Sequence, residues 1–212
     1  MKKRLLIALL ILINSFGYSQ QNYNDFELNG VKHYDFGFTT GNLESPYTNF
    51  DTLGLNISKK CAMYVRNDSA IYDVIHQKLL TKLSDVSSYA TNITTKKIKM
   101  KVYSKAPIGT AIELQLGLFS NEGYPSGIHC IYTSQTTVKN QWEELVFDFS
   151  EIPFGSLASA TEIDRLTLLF NPNPQIIKGD TFYFDDLSGP ELFDVGISES
   201  VSDIQNTFLE QN

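Results

Sequence analysis

The chain has 212 residues, a formal net charge of −7 at pH 7 and an aromatic content of 12%. A nucleic-acid-binding function is excluded, because phosphate recognition needs clustered Lys and Arg and this acidic chain has no such cluster. The length suits one domain with a sizeable core. The abundant Phe and Tyr residues suit both β-sheet cores and surfaces that stack against sugars.

The first 19 residues predict a signal peptide. Lys2, Lys3 and Arg4 precede a short apolar run, and small residues end at Ser19, where cleavage is expected. The apolar run has about half the length of a membrane span. Cleavage leaves 14 basic and 24 acidic residues, so the net charge becomes −10. We therefore expect an exported protein without a membrane span, located in the extracellular medium, at the cell surface or in the periplasm.

The chain after residue 96 shows repeated strand patterns. Ile98, Met100 and Val102 alternate with lysines, and Leu145, Phe147 and Phe149 alternate with polar residues, as in strands that bury one face. Gly, Pro and Asn turns separate these runs. Strands are predicted at 96–103, 112–118, 128–137, 142–149, 165–170 and 181–187. This spacing, without a long amphipathic helix, indicates an all-β sandwich or barrel.

The first half of the chain is less regular. Asp25–Leu28 predicts the first strand, and the polar stretch from Lys32 to Leu53 predicts a loop with at most one short strand. Cys61–Arg66 alternates as a strand does. Ile71–Leu83 fits a helical turn or an irregular strand equally well. Residues 190–212 are acidic and aperiodic and predict a flexible C-terminal tail.

Four ordered segments resemble a known group. They are Leu55–Ser58 with Ala62–Arg66, then Lys97–Ser104, then Trp142–Ser150, then Phe182–Leu187. Together they are similar to the galactose-binding-like modules of secreted glycan-degrading proteins from Gram-negative bacteria. The resemblance covers residues 25–189 and implies a single jelly-roll β-sandwich domain. It also implies binding of a polysaccharide or oligosaccharide, with a glycanase acting on the same substrate as a partner.

The resemblance also implies a structural calcium ion. Such modules hold the ion near a sheet edge with one acid from the first strand and one from the last, which here correspond to Glu27 and to Asp185 or Asp186. Calcium takes six to eight oxygen ligands, so backbone carbonyls of residues 32–42 are expected to help. The alternative is that the Asp pair faces solvent or caps a turn.

Candidate sugar ligands are aromatic faces, amides and carboxylates on a polar sheet face or in rim loops. If one sheet is concave, its outward positions are Lys99, Lys101, Tyr103, Glu113 and Gln115. Aromatic residues of the rim loops are Tyr47, Tyr72 and Tyr124. Each of these is also compatible with an ordinary surface position. Trp142, the single tryptophan, lies in a segment shared with the family and is expected to be structural.

The two cysteines leave two alternatives open. Cys61 and Cys130 either form a disulfide bond, which would close a loop of about 70 residues, or are separately buried thiols. A metal site at these cysteines is not favoured, because no Cys-x-x-Cys or His pair accompanies them.

Catalysis has little support in the sequence. His33, His76 and His129 lack zinc-site spacing, and adjacent Glu143 and Glu144 point to opposite faces of a strand. No glycosidase, lyase or serine-nucleophile motif is complete. We therefore expect a non-catalytic carbohydrate-binding protein. A jelly-roll polysaccharide lyase or glycoside hydrolase and a cell-surface adhesion domain are the alternatives.

Overall fold

The computed structural model describes residues 20–193, and within this range the fold is built from β-strands. A single 3₁₀ turn at Ser87–Tyr89 is the helical element of the described range. The strands are β1 (Gln21–Asn24), β2 (Tyr34–Thr39), β3 (Asn42–Thr48), β4 (Lys60–Val65), β5 (Val74–Leu79), β6 (Ile98–Ser104), β7 (Ala111–Gly117), β8 (Ile128–Gln135), β9 (Trp142–Glu151), β10 (Arg165–Phe170) and β11 (Thr181–Gly189).

The strands form two antiparallel sheets joined by β9. The first half of β9 pairs with β6, and its second half pairs with β8. The front sheet has the order β2-β5-β10-β7-β8-β9, and the back sheet has the order β9-β6-β11-β4-β3 with β1 beside β11. The predicted all-β jelly-roll β-sandwich is therefore confirmed as a two-sheet sandwich.

The core lies between the sheets and follows from the period-2 alternation of the strands. Phe182 and Phe184 of β11 are fully buried, and Phe170 of β10 stacks on Phe182 with ring centroids 4.6 Å apart. Each such side chain contributes about 1.5–3 kcal/mol by leaving water. The aliphatic partners of these rings come from β6 and β7, which were predicted by their alternation, and include Ile98, Met100, Leu114 and Leu116.

The strands predicted after residue 96 are confirmed, whereas the prediction for the first half of the chain is partly wrong. Asp25–Leu28 is not a strand, because the Asp25 carboxylate accepts hydrogen bonds from the backbone of Glu27 and Val31 and folds the segment into a turn. The strand β1 precedes it. The predicted loop of residues 32–53 contains β2 and β3. The ambiguous Ile71–Leu83 segment contains β5, a strand.

The C-terminal end of the described range pairs with the sandwich. Leu192 forms a β-bridge with Leu83, and the backbone N–H of Phe193 donates to the carbonyl of Lys82 at 2.8 Å. The predicted signal peptide, residues 1–19, and positions 194–212 of the predicted tail lie outside the described residues. Within residues 20–193 no helix has the length and apolar character needed to span a membrane.

Of the two alternatives for the cysteines, the structure has separately buried thiols, because Cys61 and Cys130 are both free. Cys61 lies on the outer face of the back sheet with Trp142 and Tyr183, whereas Cys130 lies in the core between the sheets. The backbone of the back sheet therefore separates the two sulfur atoms. Burial raises the pKa of each thiol to about 12, which keeps both protonated and unreactive at neutral pH.

Candidate binding groove

A cavity of about 590 Å3 lies on the outer face of the front sheet. Its floor comes from five neighbouring strands, β5, β10, β7, β8 and β9, and its walls come from loops at the two ends of these strands. Five strands at about 4.8 Å spacing span about 19 Å, which is the length of a short oligosaccharide or peptide. We refer to this cavity as the front groove.

The floor of the front groove is a single row of side chains that crosses the strands. His76 is opposite Thr167, and Thr167 is opposite Gln115 on its other side. Gln115 is in turn opposite Ile131, which is opposite Glu151. Directly opposed residues in antiparallel strands share one face of the sheet, so these five side chains point into the groove together. We call them the floor row.

Two tyrosines stand at the walls of the groove. Tyr72 and Tyr124 expose 62% and 65% of their surface, although both are large aromatic residues. Tyr72 precedes β5 in a segment held by a hydrogen bond of 3.1 Å from the Asn173 backbone to Ile71. Tyr124 lies in a loop closed by a 2.8 Å backbone hydrogen bond from Gly127 to Gly123. Both rings are therefore held on fixed backbone beside the floor.

Three side chains that line the front groove carry buried polar atoms without a partner. Among residues 20–193 no hydrogen bond is made by Nε, Nη1 or Nη2 of Arg165, by Oγ1 of Thr167, or by Nδ1 of His76. Arg165 is 1% exposed, and burial lowers the pKa of its guanidinium group. Buried polar groups are almost always hydrogen-bonded, and leaving one unpaired costs about 1–3 kcal/mol. Their concentration in one cavity indicates a polar ligand.

Gly117 lies beside the guanidinium group. It occupies the position of β7 opposite Arg165, where a Cβ atom would lie 2.4 Å from the Gly127 carbonyl oxygen and 3.1 Å from Arg165 Nη2. On the other side of Arg165, β5 places Lys78 opposite it, and the Lys78 ammonium group lies 4.6 Å from the centre of the Phe119 ring. Arg165 is thus enclosed from both neighbouring strands, with the groove above it.

Three carboxylates complete the lining. Glu113 accepts a hydrogen bond of 2.6 Å from Gln115, and burial, followed by the nearby charge of Glu151, raises the pKa of Glu113. Glu122 Oε1 lies 3.5 Å from His76 Nδ1, which is an electrostatic contact too long for a good hydrogen bond. Burial and then the charge of Arg165 lower the pKa of His76, so this imidazole is neutral at pH 7.

The predicted sugar ligands are divided between the two sheets. Glu113, Gln115, Tyr72 and Tyr124 line the front groove. Lys99, Lys101, Tyr103 and Tyr47 lie instead on the back sheet, so the single surface predicted from the sequence does not exist. There Lys99 pairs with Glu144 at 2.8 Å, and Lys101 pairs with Asp186 at 2.6 Å. The alternation of β6 and β7 identifies outward residues but not the sheet to which each strand belongs.

The sequence prediction missed the polar floor residues. His76, Arg165 and Thr167 were not among the candidates, and Glu122 and Glu151 were also absent. A signal for two of them existed, since Arg165 and Thr167 are polar residues two positions apart in an otherwise apolar strand. That spacing places both on one face. Glu122 reaches the groove from the loop between β7 and β8, and Glu151 reaches it from the end of β9.

Trp142 and the aromatic residues of the back sheet form an outer cluster. Trp142 is 8% exposed and packs with Tyr103 at a ring separation of 5.9 Å. Tyr103 also contacts Tyr183, and Tyr47 contacts Tyr183 at 5.5 Å. These contacts agree with the expectation that Trp142 is structural. The same contacts show that the rings of Tyr47 and Tyr103 pack against other aromatic rings.

Two of the three acids predicted to bind calcium, Asp185 and Glu27, contact one loop, residues 56–60. Asp185 is fully buried and accepts a hydrogen bond of 3.0 Å from Asn56 Nδ2. Burial, and then the neighbouring charge of Asp186, raises the pKa of Asp185 to about 7. Glu27 accepts backbone hydrogen bonds from Lys59 and Lys60 at 2.5 and 3.0 Å.

The fit of these acids to calcium is partial. Asp185 is an oxygen donor without a basic partner, as a hard cation prefers. Asp186, however, already binds Lys101 and accepts a 3.0 Å hydrogen bond from Asn22. In the part of the chain that the structure describes, no three His, Cys, Asp or Glu side chains gather at a common point. Six of the residues from 32 to 42, which were expected to supply carbonyls, form β2 of the front sheet.

Comparison with known proteins gives similarities of fold. No protein-family model matches the chain, and no curated protein matches it. A family 11 carbohydrate-binding module from Clostridium thermocellum, solved with a β-1,3-1,4-mixed-linked tetrasaccharide, is 15% identical over 82% of this chain and 97% of its own, with a TM-score of 0.48. A family 30 carbohydrate-binding module is 14% identical over 72% of this chain and 90% of its own, with a TM-score of 0.47.

An exo-β-agarase is 11% identical over 84% of this chain and 26% of its own, with a TM-score of 0.47. The solved structures to which this chain is similar thus include carbohydrate-binding modules, the kind of protein that the sequence resembles. At these identities and TM-scores, the ligands of those proteins say nothing about the ligand of this chain.

Proposed function

We propose that this protein binds a polysaccharide chain in the front groove without cleaving it. The observation that carries the proposal is the set of unpartnered polar atoms of Arg165, Thr167 and His76, which line the front groove together with two exposed tyrosines. Sugars present hydroxyl groups along their edges and apolar C–H groups on their faces. A groove with a polar floor and aromatic walls complements both.

Each part of the groove has a role in this proposal. The guanidinium group of Arg165 and the hydroxyl group of Thr167 donate to sugar oxygens. The carboxylates of Glu113 and Glu122 accept from sugar hydroxyls, and Tyr72 and Tyr124 stack on ring faces. Binding would thereby satisfy polar atoms that are buried without partners in the free protein, which favours the complex.

A glycoside hydrolase is the second candidate, and one observation favours it. Burial raises the pKa of Glu113, and the negative charge of Glu151 in the same groove raises it further. Hydrolases use two carboxyl groups of different pKa on either side of the scissile bond. Release of reducing ends from a bound glycan would establish this activity and would contradict the non-catalytic proposal.

A structural calcium ion at Asp185 is part of the proposal. Support comes from the full burial of this carboxylate and from the absence of a Lys or Arg partner among the described residues within ion-pair distance of it. Asp185 and Glu27 would hold the ion, and Asp186 would lie beside it. The ion would fix the loop at 56–60 against β11. We also propose export through residues 1–19 and action alongside a glycanase.

The direct test is affinity electrophoresis in gels that contain mixed-linkage β-glucan, laminarin, xylan, agarose, mannan or alginate. We expect retardation by at least one of them, and loss of that retardation in the Tyr72→Ala/Tyr124→Ala double variant. Phe50→Ala, an exposed aromatic residue on the opposite sheet, is the control and should be retarded like the parent. Unretarded migration in every gel would reject glycan binding and favour a protein-adhesion role.

A further inference from the structure

We propose that the binding line continues past both ends of the front groove, onto the rings of Phe38 and Phe154. The protein would then take an internal stretch of a long glycan chain, with the outermost sugars stacked on these two rings. This inference rests on the proposed function and adds two subsites to it. Neither phenylalanine lines the cavity itself.

Phe38 reaches the outer face through a β-bulge. In β2, Phe36 is opposite Gln77 and Thr39 is opposite Ile75, so two residues, Gly37 and Phe38, face the single residue His76. Simple alternation would direct Phe38 into the core with Phe36, which packs there against Phe184. Bulges redirect side chains in this way and are frequent beside functional sites.

The redirected ring joins the floor row at its end. The Phe38 ring centroid lies 6.0 Å from that of His76, and the side chain is 61% exposed. β2 is the next strand beyond β5 in the front sheet. Phe38 therefore extends the row by one strand, in line with His76 and Thr167. The bulge exposes a large apolar side chain, which loses the burial that the core would have given it.

Phe154 lies in the loop that follows β9, the strand at the opposite end of the row. It follows Glu151, the last floor residue, by three positions and is fully exposed, at 101% of its reference area. Its loop is fixed to the wall loop that carries Tyr124, because the Leu157 backbone N–H donates to the Ser126 carbonyl at 2.9 Å. Gly155, at φ 89°, approaches Pro125, and a Cβ atom there would lie 3.4 Å from Pro125 Cγ.

The position of the two rings distinguishes them from other exposed apolar residues. Single exposed hydrophobic side chains are normal on protein surfaces. Phe38, however, stands on β2 at one end of a row that crosses all six strands of the front sheet, about 24 Å at 4.8 Å per strand, and Phe154 belongs to the loop that leaves β9 at the other end. A chain lying along the row would meet an aromatic ring at each end, whereas a disaccharide in the cavity would meet neither.

The test is isothermal titration with oligosaccharides of mixed-linkage β-glucan, xylan and agarose, each from dimer to octamer. For the parent protein we expect affinity to rise with length until the ligand spans both rings. Phe38→Ala and Phe154→Ala should each weaken the longest bound ligands about three- to tenfold, as expected for loss of one stacking contact. Both variants should bind the short ligands as the parent does.

Two controls keep the result specific. Ile93→Ala, at a 94% exposed position away from the groove, should leave every affinity unchanged. Phe38→Tyr, which keeps the ring, should restore binding of the long ligands. If oligosaccharides bind but the two alanine variants match the parent at every length, the extension is wrong and the proposed function stands. If no oligosaccharide binds and no gel retards the protein, both fail together.

Discussion

Gln115 Nε2 donates a hydrogen bond of 2.6 Å to Glu113 Oε1, and both side chains stand on β7 facing the front groove. The bond lowers the pKa of Glu113, whereas burial and the charge of Glu151 raise it. Gln115 therefore fixes the position of the carboxylate and opposes the increase of its pKa. An oriented carboxylate is what a groove needs to accept hydrogen bonds from the hydroxyl groups of a ligand.

Gln115→Ala should raise the pKa of Glu113 further, because the hydrogen bond that favours the ionised form is lost. It should also weaken glycan binding by about ten- to hundredfold, as one buried hydrogen bond to a charged group contributes about 1.5–3 kcal/mol. A titration of the Glu113 carboxyl carbon by NMR measures the pKa, and affinity electrophoresis measures binding. Gln135→Ala, at the exposed end of β8, is the matched control. An unchanged pKa would show that Gln115 does not act on Glu113.

Arg165→Met should weaken glycan binding at least tenfold while leaving the melting temperature equal to that of the parent or above it. The reason is that the buried guanidinium group has no hydrogen-bond partner within residues 20–193 to lose, and an apolar side chain of similar length removes its desolvation penalty. Thermal denaturation and affinity electrophoresis measure the two effects. A large fall in the melting temperature would mean that Arg165 serves stability instead.

Arg66 provides the matched control for this experiment. It is equally buried, at 1% exposure, but its guanidinium group donates to the carbonyls of Phe170, Asn67, Ala70 and Ile71. Arg66→Met removes all four hydrogen bonds and should destabilise the fold by about 3 kcal/mol or more. Arg165→Met and Arg66→Met should therefore change the melting temperature by different amounts or in opposite directions.

Asp185 should make stability depend on pH when calcium is removed. Its pKa is raised from 3.8 to about 7 in the folded protein, so the folded state holds this proton more tightly than the unfolded state. The associated stability is fully present below pH 3.8 and is lost as pH rises through 7. We expect Asp185→Asn to remove this component of the slope. Denaturant unfolding in EDTA between pH 4 and pH 8 measures it, with Asp148→Asn, a mostly exposed partner of Lys97, as the control.

Calcium should reverse this loss above pH 7. An ion that binds the folded state alone raises the melting temperature by mass action. We expect a higher melting temperature in calcium than in EDTA at pH 8, and no difference for Asp185→Asn. If the melting temperature of the parent protein is the same in calcium as in EDTA, Glu27, Asp185 and Asp186 are not metal ligands.

The two cysteines should react as free thiols only after unfolding. We expect a thiol reagent to titrate both Cys61 and Cys130 in denaturant without a reductant, and neither in the native state, because both are buried. The melting temperature should be the same with and without dithiothreitol. Denatured protein with no titratable thiol would instead establish a disulfide bond.

Local patterns were sufficient to predict most strands but not which strands pair with one another in the sheets. The bounds of Arg165–Phe170 agree with the prediction because six successive residues suit a buried strand, and the alternation of β6 and β9 identifies their inward faces. β2 and β3 were missed because an edge strand with an exposed face carries few apolar residues. Phe38 could not have been assigned to the outer face, since only the pairing of β2 with β5 creates the bulge.

The sequence by itself determined the fold class and the outward position of Glu113 and Gln115, because side-chain direction in a strand follows from its period of two residues. It also indicated that Tyr72 and Tyr124 belong to loops. Only the tertiary structure decided that Lys99, Lys101, Tyr103 and Tyr47 belong to the opposite sheet. It also brought His76, Thr167 and Gln115 into one row, from strands far apart in the chain. Pairing between distant strands depends on the packing of the whole core, and no local pattern encodes it.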